Sequence, residues 1–113
     1  MRAELISESV RHFPVSAKVP RNRLVRLSSG EPVLAGATDE DVIGAGQGWN
    51  TSAPYGRVAM RSASSSYLVE ASGEVTEGVV YQAANGMVAS SGTVVAGVAL
   101  EGGTDEPVQV MPL

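Results

Sequence analysis

The sequence predicts an all-β fold, specifically a small β-barrel or β-tulip-like domain, and three observations support this prediction. The apolar residues are mostly Val and Ala, and with aromatic residues at only 4% of the chain, they fill a thin core. Three short apolar runs at residues 79–83, 87–89 and 94–100 are separated by glycines. Between the first two runs lies Asn85-Gly86, which is the strongest short-range sequence signal for a tight hairpin.

A weaker version of the same pattern occurs earlier in the chain. Residues 19–30 align with residues 75–86 without a gap, and two shorter alignments follow, of residues 42–46 with 95–99 and of residues 57–60 with 107–110. Both copies have the order strand, turn, strand, glycine-flanked strand, loop and strand. We therefore expect two pseudo-repeated β units, at about residues 19–60 and 75–110, within a single β domain that spans residues 19–113.

The elements between these runs follow from local signals. Residues 38–41 combine a capping Thr38 with three acids, which predicts a single helical turn. Residues 44–56 contain four glycines and Trp49, which predicts a long loop. Apolar runs and the alternation of polar and apolar residues predict the remaining strands, at residues 24–27, 32–35, 57–61, 67–70 and 108–113.

Residues 1–18 show neither a helical nor a strand period, and Pro14 favours an extended conformation in the residue before it. We expect this segment to be an extended N-terminal arm. Two alternatives are open at this point. The arm either docks on the surface of a partner, or it packs on its own domain.

The charge of the chain is unevenly distributed, although the net charge is only −4. Residues 1–30 contain six basic residues and two acids, whereas residues 31–113 contain two basic residues and ten acids. A basic leading segment is typical of an arm that binds nucleic acid, or of one that lies on an acidic protein surface. Because the segment contains Pro14 and Pro20 and only one aromatic residue, Phe13, we expect no nucleic-acid partner.

Several kinds of chemistry lack the residues that they require. The chain has no cysteine for a disulfide or a thiolate metal site, and its one histidine, His12, supports neither a histidine metal cluster nor a catalytic triad. Its only lysine, Lys18, does not lie in a phosphate-binding loop. No apolar run is long enough to span a bilayer. We expect a protein that is not an enzyme, binds no cofactor or metal, has no membrane partner and is synthesised in the cytoplasm.

The residues that remain as functional candidates are those suited to contact with another protein. Trp49 and Tyr55 are either core residues or exposed anchors of an interface. The basic residues of the arm and of the segment after it could pair with an acidic partner surface. The candidate contact residues are Arg11, His12, Phe13, Lys18, Arg21, Arg23, Trp49 and Tyr55.

Residues 19–113 resemble a known family. The motif Val-x-x-Gly-Val-Val-Tyr ending at Tyr81 is followed by Asn-Gly-Met-Val, by Val-Ala-Gly-Val-Ala-Leu and by a closing Pro-Val-Gln-Val. This series is similar to the small capsid decoration (cement) proteins of tailed bacteriophages, in the group sometimes labelled RecA/RadA-like phage recombinases. The absence of a phosphate-binding loop argues against the recombinase label. The positions that carry the resemblance are Gly78, Tyr81, Gly86, Gly97, Val98, Ile43 and Gly44.

The resemblance implies a compact β-barrel or β-tulip domain that forms a homotrimer at three-fold and quasi-three-fold positions on the outside of the expanded phage head. It also implies that the major capsid protein is the partner, that the N-terminal arm reaches across neighbouring capsid subunits, and that the mature protein is part of the virion. An alternative is another phage structural β-module, such as a head-fibre base or a tail component.

Overall fold

The computed structural model describes residues 10–16, 18–50, 55–62 and 66–112. Its strands form two five-stranded antiparallel sheets and one two-stranded ribbon, so the all-β prediction is confirmed. The first sheet contains β1 (Val10–Pro14), β2 (Leu24–Ser28), β3 (Glu31–Leu34), β4 (Val42–Asn50) and β5 (Tyr55–Met60). The second contains β6 (Tyr67–Glu70), β8 (Gly78–Gln82), β9 (Val88–Ala89), β10 (Val95–Ala99) and β12 (Pro107–Met111), and the ribbon contains β7 (Glu74–Val75) and β11 (Gly103–Thr104).

The two sheets have the same strand order. The first sheet is ordered β1-β5-β4-β2-β3 and the second β6-β12-β10-β8-β9, so that numbering each sheet's strands along the chain gives 1-5-4-2-3 in both. The pseudo-repeat itself stays a prediction, and each sheet also includes one strand N-terminal to the predicted unit. Residues 10–14, which lie in the predicted arm, form the edge strand β1. Both orders are open, so a closed barrel stays a prediction.

A glycine occupies the same place in the two sheets, in β4 and in β10. A Cβ atom added to Gly44 would lie 2.0 Å from the carbonyl oxygen of Ala59 in β5. A Cβ atom added to Gly97 would lie 2.3 Å from the carbonyl oxygen of Met111 in β12. At both positions the neighbouring backbone comes too close for any side chain, which is a common reason for glycine within a strand.

Two local predictions are wrong. Residues 44–56 were expected to form a loop, but β4 continues to Asn50 and pairs with β5, because its glycines allow close strand approach instead of marking a turn. Residues 38–41 were expected to form a helical turn, but no helix occurs there. The Oδ2 atom of Asp39 instead accepts a hydrogen bond from the backbone amide of Gly36 at 2.7 Å, which closes a non-helical turn.

The hairpin predicted at Asn85-Gly86 is present. Strands β8 and β9 pair antiparallel, with Tyr81 opposite Ala89, and a three-residue 3-10 turn at Ala84–Gly86 joins them. Asn85 has φ of 60°, in the left-handed region that asparagine tolerates better than most residues.

Within the described part of the chain, no helix has the length and apolar character that crossing a bilayer requires.

The main hydrophobic core lies between the two sheets, and both sheets contribute to it. Leu24 is its largest fully buried side chain from the first sheet, and Val80 and Val108 are fully buried residues of the second. A second cluster of Val19, Val25 and Val58 lies on the opposite face of the first sheet. The edge strands β1 and β3 contact each other, and the Ser16 hydroxyl donates to Glu31 Oε1 at 2.8 Å, so the first sheet curls around this cluster. Phe13, Val15, Ile43 and Met60 pack against it.

Hydrogen bonds also join the two sheets into one body. The amide of Gly86 donates to the carbonyl of Ala35, and the amide of Glu70 donates to the carbonyl of Asn22, both at 2.7 Å. The buried side chain of Gln82 adds two more bonds across the junction, because its Nε2 atom donates to backbone carbonyls of the first half. Those acceptors are Gly36 at 3.0 Å and Asp39 at 2.6 Å.

Candidate functional site

The pairing of β1 with β5 brings several of the candidate contact residues together. His12 lies opposite Arg57, and Pro14 lies opposite Tyr55, so the first strand of the sheet is held beside residues more than forty positions away in sequence. Tyr55 is 47% exposed, so of its two predicted roles the structure supports the exposed one. This edge of the sheet places residues of the predicted arm beside Tyr55.

Side chains along β1 alternate between the two faces of the first sheet. Val10 is opposite Ala59, which belongs to the main core, so Val10 and His12 lie on the face that meets the second sheet. Arg11 and Phe13 lie on the other face. Phe13 is half-buried and packs against the second cluster, so its contacts are within its own domain. Arg11 and His12 are both exposed.

Further cations lie beside this edge. The side chain of Arg21 lies over Gly48 in β4, because a Cβ atom there would be 3.3 Å from Arg21 Nε. Arg57 donates from Nη2 to the carbonyl of Gln47 at 3.4 Å, which directs it along the same strands. The sequence contains no Asp or Glu in residues 10–30 or 42–62. We call Arg11, Lys18 and Arg21 the basic surface, and all three are exposed. His12 and Arg57 are also exposed, but they lie on the other face of the sheet from Arg11.

Two of the candidate contact residues are placed differently. Arg23 is half-buried, and its Nη1 atom donates to the carbonyl of Asn85 at 3.1 Å, so it links the first sheet to the turn between β8 and β9. Its place is at the junction of the sheets instead of on the basic surface. Trp49 belongs to β4 and is paired with Gly56 in β5, and its side chain lies outside the described part of the structure.

One further arginine is held in an ion pair within the chain. Arg26 Nε donates to both carboxylate oxygens of Asp41, at 3.0 and 3.2 Å, and Asp39 Oδ2 is 3.8 Å away. The hydrogen bond and charge of Asp41 raise the pKa of Arg26, and the hydrogen bond from Arg26 lowers the pKa of Asp41. Arg26 is therefore matched by acids of its own chain.

The outer face of the second sheet has a different chemistry, and the residues in it were not predicted from sequence as contacts. Val79 pairs with Val98, which pairs with Met111, and in the next row Tyr81 pairs with Val95. Paired residues point to the same face, and the residue between them, Val80, is in the main core, so these five form an apolar face directed outward. Val79 is 50% exposed and Val95 is 43% exposed.

A sequence signal for this apolar face exists. In residues 94–100, the side chains on both faces of the strand are apolar, which is typical of a strand covered on both faces. In the structure, the main core covers only the side chains of β10 that point inward. The side chains of β10 that point outward remain accessible.

The second half of the chain contains only acidic charges. Residues 62–113 include six acids and no Lys or Arg, whereas all eight Lys and Arg lie in residues 1–61. Gly78 pairs with Ala99, so Glu77 and Glu101 lie at the same end of β8 and β10. Ala99 also pairs with Val110 in the antiparallel strand β12, so the start of β12 lies at that end too, with Glu70 opposite Pro107. The apolar face is therefore bordered at one end by carboxylates.

These surfaces are suited to binding other macromolecules. Among the described residues, no group of three or more His, Asp or Glu is arranged to hold a metal ion. A scan against protein-family models matches no family, and a search of curated proteins finds no match. What distinguishes this chain is a basic surface on one sheet and an acid-bordered apolar face on the other.

Proposed function

We propose that the protein is a capsid decoration (cement) protein of a tailed phage, without enzymatic activity, that binds as a homotrimer to the outside of the expanded head and stabilises it. The observation that supports this proposal most directly is the pairing of β1 with β5. It gathers Arg11, His12 and Tyr55, all expected contact residues, at one edge of the sheet within an acid-free part of the chain.

In this proposal the basic surface binds acidic groups of the major capsid protein. Arg11 and Arg21 are exposed and belong to a segment, residues 10–30, that contains no acid, so both guanidinium groups can pair with an approaching carboxylate. Charge pairs at such a rim mainly raise the association rate and are screened by salt over about 8–10 Å. Residues 1–9 precede β1, outside the described residues, and would add a second contact, so that the effective concentration strengthens both.

The experiment is co-sedimentation of the purified protein with expanded and unexpanded heads from the phage that encodes it. The parent protein is expected to pellet with expanded heads, and less of it is expected to pellet as the salt concentration rises. The variant Arg11→Ser with Arg21→Ser is expected to bind much more weakly. A tail component or head-fibre base would not pellet with heads that lack those structures.

A matched control separates a local contact from net charge. The variant Ala37→Glu with Thr38→Glu also makes the protein more negative by two charges, at exposed positions in the turn after β3. It is expected to bind like the parent. Equal loss of binding in both variants would show that net charge, and not the basic surface, decides attachment.

The structure also determines which truncation tests the arm. Removing residues 1–18 would delete β1 and the Val15 side chain that packs on the second cluster, so loss of binding could follow from damage to the sheet. Removing residues 1–9 leaves every described residue in place. This shorter truncation is expected to keep the thermal stability of the parent and to bind heads more weakly. Binding equal to the parent would remove the arm from the proposal.

A further inference from the structure

The apolar face of the second sheet, formed by Val79, Tyr81, Val95, Val98 and Met111, combines exposed hydrophobic area with carboxylates along one end. Exposed apolar residues that form a contiguous patch with a polar rim are typical of interaction surfaces. The acidic capsid surface proposed above would repel this face. A partner that is both apolar and basic would match it.

The chain itself carries a patch with that chemistry. On the face of β1 and β5 that continues outward from the main core, Val10 is 42% exposed and Tyr55 is 47% exposed. Beside them are His12 and Arg57, which are exposed and lie opposite each other. We call Val10, His12, Tyr55 and Arg57 the β1–β5 patch.

We infer that the apolar face of one copy binds the β1–β5 patch of a second copy. Val10 and Tyr55 meet the valine rows, while Arg57 and His12 lie toward the acidic end of the second sheet. The contact is head-to-tail, because the two patches belong to different sheets of the chain. Arg11 lies on the opposite face of β1, so it stays available for the capsid contact.

Head-to-tail contacts between identical chains build closed rings when the rotation between successive copies closes, and otherwise build filaments. The number of copies, three, comes from the proposed function, and the inference rests on it for that number alone. The inference adds which two surfaces meet within the trimer. Burial of the apolar rows supplies the attraction, and the opposite charges fix which patch pairs with which.

Disulfide cross-linking tests this contact directly, because the chain has no cysteine of its own. Tyr55→Cys and Val79→Cys are made as separate variants at exposed positions, and a third variant, Val33→Cys, serves as control at a residue that is 39% exposed in β3. Under mild oxidation, a mixture of Tyr55→Cys and Val79→Cys is expected to form several-fold more cross-linked dimer than a mixture of Val33→Cys and Val79→Cys.

The alternatives give different results. Cross-linking of Val79→Cys with itself, at a yield equal to the mixture, would show that two apolar faces meet each other and would overturn the inference. So would equal yields in the test and control mixtures.

The mass in solution provides a second measurement. By analytical ultracentrifugation the parent is expected to form trimers that the variant Val79→Asp disrupts, while Ser72→Asp, with the same charge change at an exposed position, leaves them intact. A parent that stays monomeric at all concentrations would also overturn the inference. None of these measurements includes phage heads, so head binding can fail while the head-to-tail contact stands, and the reverse.

Discussion

Replacing either of the two equivalent glycines by alanine tests whether the sheets are built in the same way. The Cβ of Gly44→Ala would lie 2.0 Å from the carbonyl oxygen of Ala59, and that of Gly97→Ala 2.3 Å from the carbonyl oxygen of Met111. Real Cβ atoms essentially never approach other heavy atoms within 3.0 Å, so the strands must separate by about 1.0 and 0.7 Å. Neither clash can be relieved by a side-chain rotation, because both partners are backbone atoms in paired strands.

The expected cost follows from this geometry. Overpacking of a well-packed core costs about 1–3 kcal/mol, and a backbone clash belongs at the upper end, so each variant is expected to lose about 3 kcal/mol. For a domain of this size that corresponds to a fall in Tm of about 12 °C, at about 4 °C per kcal/mol. The approach is closer at Gly44, whereas at Gly97 a φ of +155° adds backbone strain to the clash, so the two losses are expected to be similar.

Urea denaturation and thermal unfolding followed by far-UV circular dichroism measure this loss, at one fixed protein concentration because association also stabilises the fold. Gly30→Ala is the control. No atom lies within 4 Å of a Cβ there, but φ is +79°, so only the strain of a left-handed alanine, about 1 kcal/mol, is expected. If Gly44→Ala or Gly97→Ala proves no less stable than Gly30→Ala, the close strand approach does not exist as described.

Three further outcomes are expected from the core and from the titrating groups. Leu24→Ala, at a residue that is 1% exposed in the main core, should lower the free energy of unfolding by about 2–5 kcal/mol, and a loss near zero in urea titrations would contradict its place between the sheets. Burial raises the pKa of Tyr67 from 10.0 to about 12, so the folded state favours the neutral phenol. About 3 kcal/mol of stability, present below pH 10, should therefore be lost as the pH rises through 12, and Tyr67→Phe should abolish that loss in urea midpoints measured across this range. Since Arg26 lowers the pKa of Asp41 below 3.8, this carboxylate stabilises the fold above that pH and stops doing so as the pH falls below it. Asp41→Asn should therefore be less stable than the parent at neutral pH and equal to it in strong acid, whereas a difference that does not change with pH would exclude the ion pair as its cause.

The fold class and the hairpin could be predicted because their signals are local. Asn85-Gly86 is a turn signal whose meaning does not depend on distant residues, and the structure has the hairpin there. The glycines of residues 44–48 carry the same local signal, but their meaning depends on a neighbouring strand. Gly44 is required by the position of Ala59, which no local rule supplies. For this reason the sequence predicts a loop at residues 44–56, where the structure has the end of β4 and the start of β5.

The candidate surface was predictable only in part, for a related reason. The sequence indicated that Arg11, His12 and Tyr55 could contact a partner. The antiparallel register that places them together, however, depends on contacts between residues far apart in sequence. The same register added Arg57, which was not among the candidate contact residues. Arg23 had no local feature to separate it from Arg21, since its bond to Asn85 exists only after the two sheets have packed.

The segregation of charge between the sheets makes the whole molecule an electric dipole. Every Lys and Arg is in residues 1–61, while residues 62–113 carry six acids and nothing to balance them. In the field of a negatively charged surface such a molecule experiences a torque that opposes the repulsion of its net charge of −4, over distances of about one Debye length. It turns its first sheet toward that surface before any atoms touch, so that a larger share of its collisions arrives in one orientation.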